Sequence, residues 1–177
     1  KRIKAVVNCL GSKRMKEEKI LKLLKELIRN SRRSDRELAK TLKVSQPTVT
    51  RNRKLAEGFI RSYTIVPEFR KIGYEILAVT YAKAKTYDRK EIESKLELAK
   101  KWVMQRPNIF FASDGEGLGK DTVIFSLHKD YSKYADFIRE YTVNFADFTS
   151  DVQSFIVSLK TGMIIKPFDL KYLAEDL

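Results

Sequence analysis

The residues best suited to do chemistry lie in one stretch, SDRELAKTLKVSQPTVTRNRKL, from Ser34 to Leu55. Gln46 and Asn52 carry amides that can pair bidentately with adenine, Arg51 carries a fork that fits guanine, and Thr48 and Thr50 offer hydroxyls to either. Ser34 and Ser45 mark helix N-termini, whose free amides and dipole hold phosphate, with Arg32 and Arg33 adding charge beside the first. The chemistry expected is therefore recognition of a nucleic-acid duplex. Arg32, Arg33, Ser34 and Ser45 would fix position, while Gln46, Thr48, Thr50, Arg51 and Asn52 would read base edges. The plainer alternative is that the serines are ordinary caps and the basic residues a solvated face.

Such a reading edge needs helices to present it. From Glu17 to Asn30 the apolar residues Ile20, Leu21, Leu23, Leu24, Leu27 and Ile28 recur at helical spacing. Ser34 with Glu37 three positions on forms a capping box, which opens a second helix with Leu38, Ala39 and Leu42 inside. Lys43-Val44 is a tight turn. Ser45 caps a third helix, Pro47 is tolerated in its first turn, and Val49 and Leu55 are expected to anchor it. Gly58 should end it in the left-handed conformation. Phe59-Ile60 and Tyr63-Thr64-Ile65-Val66 then predict a β-ribbon turning at Arg61-Ser62, the wing of a winged helix-turn-helix.

The charge distribution agrees with an anionic partner. The 177 residues carry a net charge of +13. Residues 1–66 hold 19 Lys and Arg against 6 Asp and Glu, and residues 67–177 hold 17 against 17. All of the excess lies in the first third, as expected of a nucleic-acid-binding head on a neutral body. Cys9 is the single cysteine, which rules out an internal disulfide and fits a reducing cytoplasm. No apolar run reaches the length of a membrane span, and Ala5–Val7 is too short for a signal core. With Lys1 first and Met15 just before the first strong helix, residues 1–14 read as an extension or a processed leader. The domain reading is an extension over 1–16, the head over 17–66, a linker over 67–74, a second domain over 75–160 and a C-terminal extension over 161–177.

After Pro67–Gly73 the composition shifts to aromatic and β-branched strands. The order reads strand (75–84), helix (89–105), strand (108–113), glycine-rich turn, strand (121–128), helix (131–145), strand (152–160). This β-α-β-β-α-β order is ferredoxin-like, making the chain α+β overall. Tyr134, Phe137, Ile138, Tyr141 and Phe145 form one helical stripe, and Val123, Phe125 and Leu127 share a strand face. Helices cover one face of such a sheet, yet Ile109-Phe110-Phe111-Ala112 is apolar on both sides. Self-association through the sheets is expected to cover the other face, with the tail 161–177 folding back as the alternative. His128, the only histidine, reads as an edge-strand residue and leaves no His metal cluster or catalytic triad to assemble.

The motif ELAKTLKVSQPTV, the EGFI that follows, the strand start IGYEI and the β-α-β-β-α-β order together resemble the Lrp/AsnC family of prokaryotic regulators, over Glu17 to about Lys160. The resemblance implies a winged-helix head, a ligand-sensing domain often called RAM, dimers or larger assemblies on double-stranded DNA, and control by small molecules such as amino acids. It aligns Ser45 to Arg51 with the start of the recognition helix and Ser154 to Leu159 with the last sensor strand. Lys43 stands where the family commonly has a turn glycine, so it is expected in a left-handed conformation at a cost of roughly 1 kcal/mol. The turn DGEGLGKD coincides with the family's effector loop, where Gly115, Glu116, Gly117 and Asp121 would hold an effector; a plain hairpin turn is the alternative. It is not a phosphate loop, since Gly115 and Gly119-Lys120 are one residue too close and Asp121 replaces the required hydroxyl. No catalytic residue, metal or cofactor is expected, and no membrane. The competing readings are an enzyme like the sirohaem decarboxylases, which share the two-domain plan but use several histidines, and an RNA-binding or purely interacting protein.

Overall fold

A computed structural model describes residues 17–85 and 89–177, the side chains of 89–94 apart. The expected extension 1–16, with Ala5, Val7, Cys9 and Met15, lies outside the described residues. The chain forms two compact units, Lys1–Val66 with Lys166–Leu177, and Pro67–Ile165.

The first unit is built on three helices. Helix α1 spans 17–29, α2 Asp35–Leu42 and α3 Gln46–Ala56. The helical spacing of Ile20, Leu23 and Leu27 carries these side chains into a core shared with Leu38, Ala39, Val49 and Ala56. Val49 anchors α3 as expected. Leu55 does not: it is half exposed, and Ala56 takes the inward place. Val49 and Ala56 are seven residues apart, two helical turns, whereas Leu55 falls well off that face. Between α2 and α3 Lys43 adopts φ 53°, the left-handed conformation expected of it, and its N–H closes the end of α2 on the carbonyls of Ala39 and Lys40.

Two expectations for the end of the head are corrected. Gly58 is not left-handed, because α3 runs on into a 3-10 turn, Glu57–Phe59. The predicted wing is absent as a ribbon: Phe59 belongs to that turn, and residues 60–66 form no strand. A lone two-stranded ribbon is marginal without a packed face, and Tyr63 and Ile65 here stay exposed.

The second unit opens with a 3-10 turn, Phe69–Ile72, ended by Gly73 at φ 86°. Strands β1 Ile76–Ala84, β2 Ile109–Gly117, β3 Lys120–His128 and β4 Thr149–Ser158 alternate with α4 Arg89–Met104 and α5 Tyr131–Asn144 in the predicted β-α-β-β-α-β order. The sheet is antiparallel throughout, in the order β2-β3-β1-β4. Ala82 and Ile124 pack against Trp102, Phe137, Tyr141 and Phe145, while Ile76 and Ala78 meet Tyr134. The stripe read on α5 is thus the core of this unit.

Val123, Phe125 and Leu127 do share a face, opposite the one on which Ile124 packs into the helical core, although Leu127 is itself buried. A register shift between Ile109 and Phe111 changes the expectation for β2. It sends Ile109 toward the helical core, while the rings of Phe110 and Phe111 both pack edge-on against Phe125, centroids 6.0 and 5.5 Å away. His128 is not on an edge strand. It ends the inner strand β3, buried, with its Nε2 2.9 Å from the Ser126 hydroxyl and its ring against Tyr134 and Phe137. Burial pushes its pKa below the usual histidine range.

Candidate nucleic-acid interface

The site begins with how α2 and α3 are capped. Ser34 Oγ accepts the Glu37 N–H at 3.3 Å, and Glu37 Oε2 accepts the Ser34 N–H at 2.7 Å, completing the predicted capping box. The Ser34 hydroxyl also donates to Glu37, and these bonds hold that carboxyl below the ordinary glutamate range. Ser45 Oγ accepts the Thr48 N–H at 3.4 Å and lies 2.8 Å from the Thr48 hydroxyl. Both serines do the work of caps; in α3 this leaves only the Gln46 backbone amide of the first turn outside the cap, since Pro47 has no N–H and the Thr48 and Val49 N–H groups bond to Ser45.

Asp35 joins α2 to α3 through two side-chain bonds. Its Oδ1 accepts Arg53 Nε at 2.8 Å and its Oδ2 accepts the Thr50 hydroxyl at 2.7 Å. The Thr50 hydroxyl, and then Arg53, hold the Asp35 carboxyl below its usual range, so it is ionised wherever the protein is folded near neutrality. Arg53 also donates to the Arg33 carbonyl at 3.1 Å. This pair fastens the third helix to the second.

Of the residues read as candidates, Gln46 and Arg51 are exposed on α3, and Arg32 is exposed before α2. Thr48 and Asn52 are half-buried. Thr50 is exposed but its proton is committed to Asp35 and the Gln46 carbonyl. Arg33 is turned inward: its guanidinium meets Glu26 and the Thr41 hydroxyl. The structure therefore leaves Gln46, Arg51 and Lys54 exposed on α3 and puts Arg33 in the framework. Lys54 was not among the candidates read from the sequence. The signal was present, since Lys54 follows Arg51 by three and Thr50 by four, the spacing of one helical face. Asp35 has no such signal, because its partners Thr50 and Arg53 come from α3.

At the other candidate site the hairpin reading holds. Leu118 and Gly119, at φ 53° and 70°, make a two-residue turn between Gly117 and Lys120, whose Cα atoms pair. Gly115, Glu116 and Gly117 are extended within β2 and form no anion nest, which needs amides converging from a turn. Asp121 is also engaged, accepting the Ala84 N–H at 3.1 and 3.0 Å where β1 slips register against β4. A hollow of about 360 Å³ lies beside the hairpin, between Tyr81, Glu116, Leu118 and Phe125. Among the described residues no three His, Cys, Asp or Glu gather as a metal site, and no helix is long and apolar enough to cross a membrane.

Residues 18–55, the three helices of the head, match the AsnC-type helix-turn-helix domain. The chain is 33% identical over 93 residues to the HTH-type transcriptional regulator LrpC of Bacillus subtilis, covering 51% of this chain and 60% of that one. It is 40% identical over 74 residues to an HTH-type transcriptional regulator of Pyrococcus furiosus, covering 41% of this chain and 50% of that one. It thus spans about half to three-fifths of the relatives it matches. Its fold is similar to a transcriptional regulator of Neisseria meningitidis solved with L-Met, at TM-score 0.69 and 18% identity, over 90% of this chain and 97% of that one. It is similar also to the structure of B. subtilis LrpC, at TM-score 0.62 and 23% identity, over 84% and 96%. Escherichia coli AsnC follows at TM-score 0.66 and 18% identity, over 85% and 96%.

Proposed function

Because the chain belongs to the Lrp/AsnC family of transcriptional regulators, we propose that it binds double-stranded DNA sequence-specifically, as a dimer or larger assembly, and answers to a small effector. The observation that carries the reading is α3 itself. It is capped at Ser45, joined to α2 by Asp35 and Arg53, and leaves Gln46, Arg51 and Lys54 exposed. That is an edge fit for the major groove. Arg32, the uncapped first-turn amides of α2 and the Gln46 backbone amide of α3 take phosphates. Gln46 and Arg51 read bases, and Thr48 and Asn52 lie at the flank of the same edge. Acting on DNA by binding alone, the protein works in the cytoplasm and needs no cofactor.

A second copy is the partner best suited to the open sheet face. Phe111 and Phe155 remain 51% and 67% exposed there, an apolar area too large for a surface facing only water. For the effector, the hollow beside the hairpin is the favoured place, with Glu116 at its rim to meet an amine. The L-Met bound to the Neisseria relative supports an amino acid as its class.

Anisotropy titration of a duplex selected by the protein from a random pool, against a mixed-sequence duplex and a matched RNA, tests the DNA reading. Preference for the selected duplex is expected. The log-log salt slope should steepen by about 0.9 per phosphate contacted. Equal binding to RNA, or a flat salt response, would refute it. Calorimetry of the folded protein against a panel of amino acids tests the effector, and no heat from any of them rejects it.

A further inference from the structure

The chain leaves the head at Val66 and comes back to it at Lys166, so the last twelve residues are a component of the DNA-reading unit. They reach it straight from β4, through a tight turn in which Gly162 donates to the Ser158 carbonyl at 3.0 Å and a Cβ would lie 2.2 Å from that oxygen. Within the head they form a 3-10 helix, Leu170–Glu175, capped by Asp169, with Ala174 fully buried. The tail is seated, not draped.

Glu175 Oε1 accepts two bonds from the Arg29 guanidinium at the end of α1, at 3.2 and 2.9 Å. The same guanidinium donates to Glu26 at 2.6 Å. Glu26 is a buried carboxylate, and its other oxygen takes Arg33. Arg33 passes the contact on in two ways, from its guanidinium to the Thr41 hydroxyl on α2 and from its carbonyl to Arg53 on α3. Arg53 then holds Asp35, and Asp35 holds Thr50. An unbroken line of charged and hydrogen-bonded groups thus runs from the tail through α1 to the reading helix.

We propose that Glu175 and Glu26 are positioning residues for DNA reading, through which the C-terminal segment sets the orientation of α3. Glu26 is the hinge of this device. Buried between two guanidiniums, it gives each a fixed place only while the other is fixed, since a half-satisfied buried network is free to shift. Glu175 holds Arg29 still, which leaves the second carboxylate oxygen of Glu26 aimed at Arg33. The proposal rests on the DNA-binding reading for its purpose, but the coupling itself is a property of the head.

The test uses the full chain with Glu175→Gln, and with Asp176→Asn as a control that removes the same charge from the neighbouring residue. Glu175 is exposed, so neither change threatens folding. The Nε–H resonance of Arg53, which lies outside any direct contact with the tail, is expected to shift in Glu175→Gln and stay in place in Asp176→Asn. Amide exchange across α2 should quicken by about two- to fivefold, the range an exposed ion pair can supply. Affinity for the selected duplex should fall by the same factor, with the mixed-sequence duplex less affected. An unmoved Arg53 signal in Glu175→Gln, or the same response to Asp176→Asn, would overturn the proposal. Failure of the wild-type chain to bind any duplex would sink the DNA reading instead, while the Arg53 signal would still decide the coupling.

Discussion

Replacing Asp35 by Ala removes the brace between α2 and α3. Three losses contribute. The ion pair with Arg53 joins side chains that are 24% and 22% exposed, so it stands between the surface and buried regimes and contributes about 1 kcal/mol. The negative charge in the first turn of α2 adds about 0.5 kcal/mol through the helix dipole. The Thr50 hydroxyl loses little, because the Gln46 carbonyl accepts it at 3.2 Å. The head should therefore lose about 1.5 kcal/mol, the sum of these contributions. Urea titration followed at the amide signals of α3 measures it, since the single tryptophan, Trp102, reports the other unit. A double-mutant cycle with Arg53→Met should return a coupling of about 1 kcal/mol. The carboxyl is held below its unfolded value of 3.8, so this stability is complete above pH 3.8 and is lost as pH falls below it. In the Asp35→Asn variant that loss should vanish. A stability change under about 0.3 kcal/mol, or a coupling lost in that error, would refute the account of how α3 is held.

Three further outcomes are expected. Arg51→Ala should relax base choice at one position of a selected site by about 1–3 kcal/mol; selection from a random pool checks this, and uniform weakening on all sequences would contradict it. Phe155→Arg on the open sheet face should weaken self-association by about 2 kcal/mol or more, since the charge has no partner there, and light scattering would show the mass falling toward the monomer; an unchanged assembly removes that face as the interface. His128 is buried with a lowered pKa, so the unfolded chain takes up its proton first: stability is full above pH 6.5 and declines below it, by at most about 1.4 kcal/mol per pH unit, and His128→Gln should flatten that slope in a Trp102-monitored titration.

Much of this protein is legible without coordinates. Helical spacing in Ile20, Leu23 and Leu27, the Ser34 and Ser45 caps, and the left-handed Lys43 are local matters, settled within a turn or two of chain, and the structure has each of them. The β-α-β-β-α-β order is local in the same sense, because each element declares its own periodicity. The wing misled because β propensity states only what fits a strand, and residues 60–66 form none. Gly115 and Gly117 lie in β2 and not in the turn itself, as a glycine permits a turn without requiring one.

The residue types along Ser34 to Leu55 determined that a duplex-reading edge was to be sought there. Which of them can serve is decided by what other helices bring. Arg33 and Arg51 are equal in sequence, but Glu26 on α1 and Thr41 on α2 take up the first, and nothing in the described head takes up the second. The place of the tail was likewise out of reach, because Glu175 meets Arg29 across 146 residues, and only the folded chain brings such groups together.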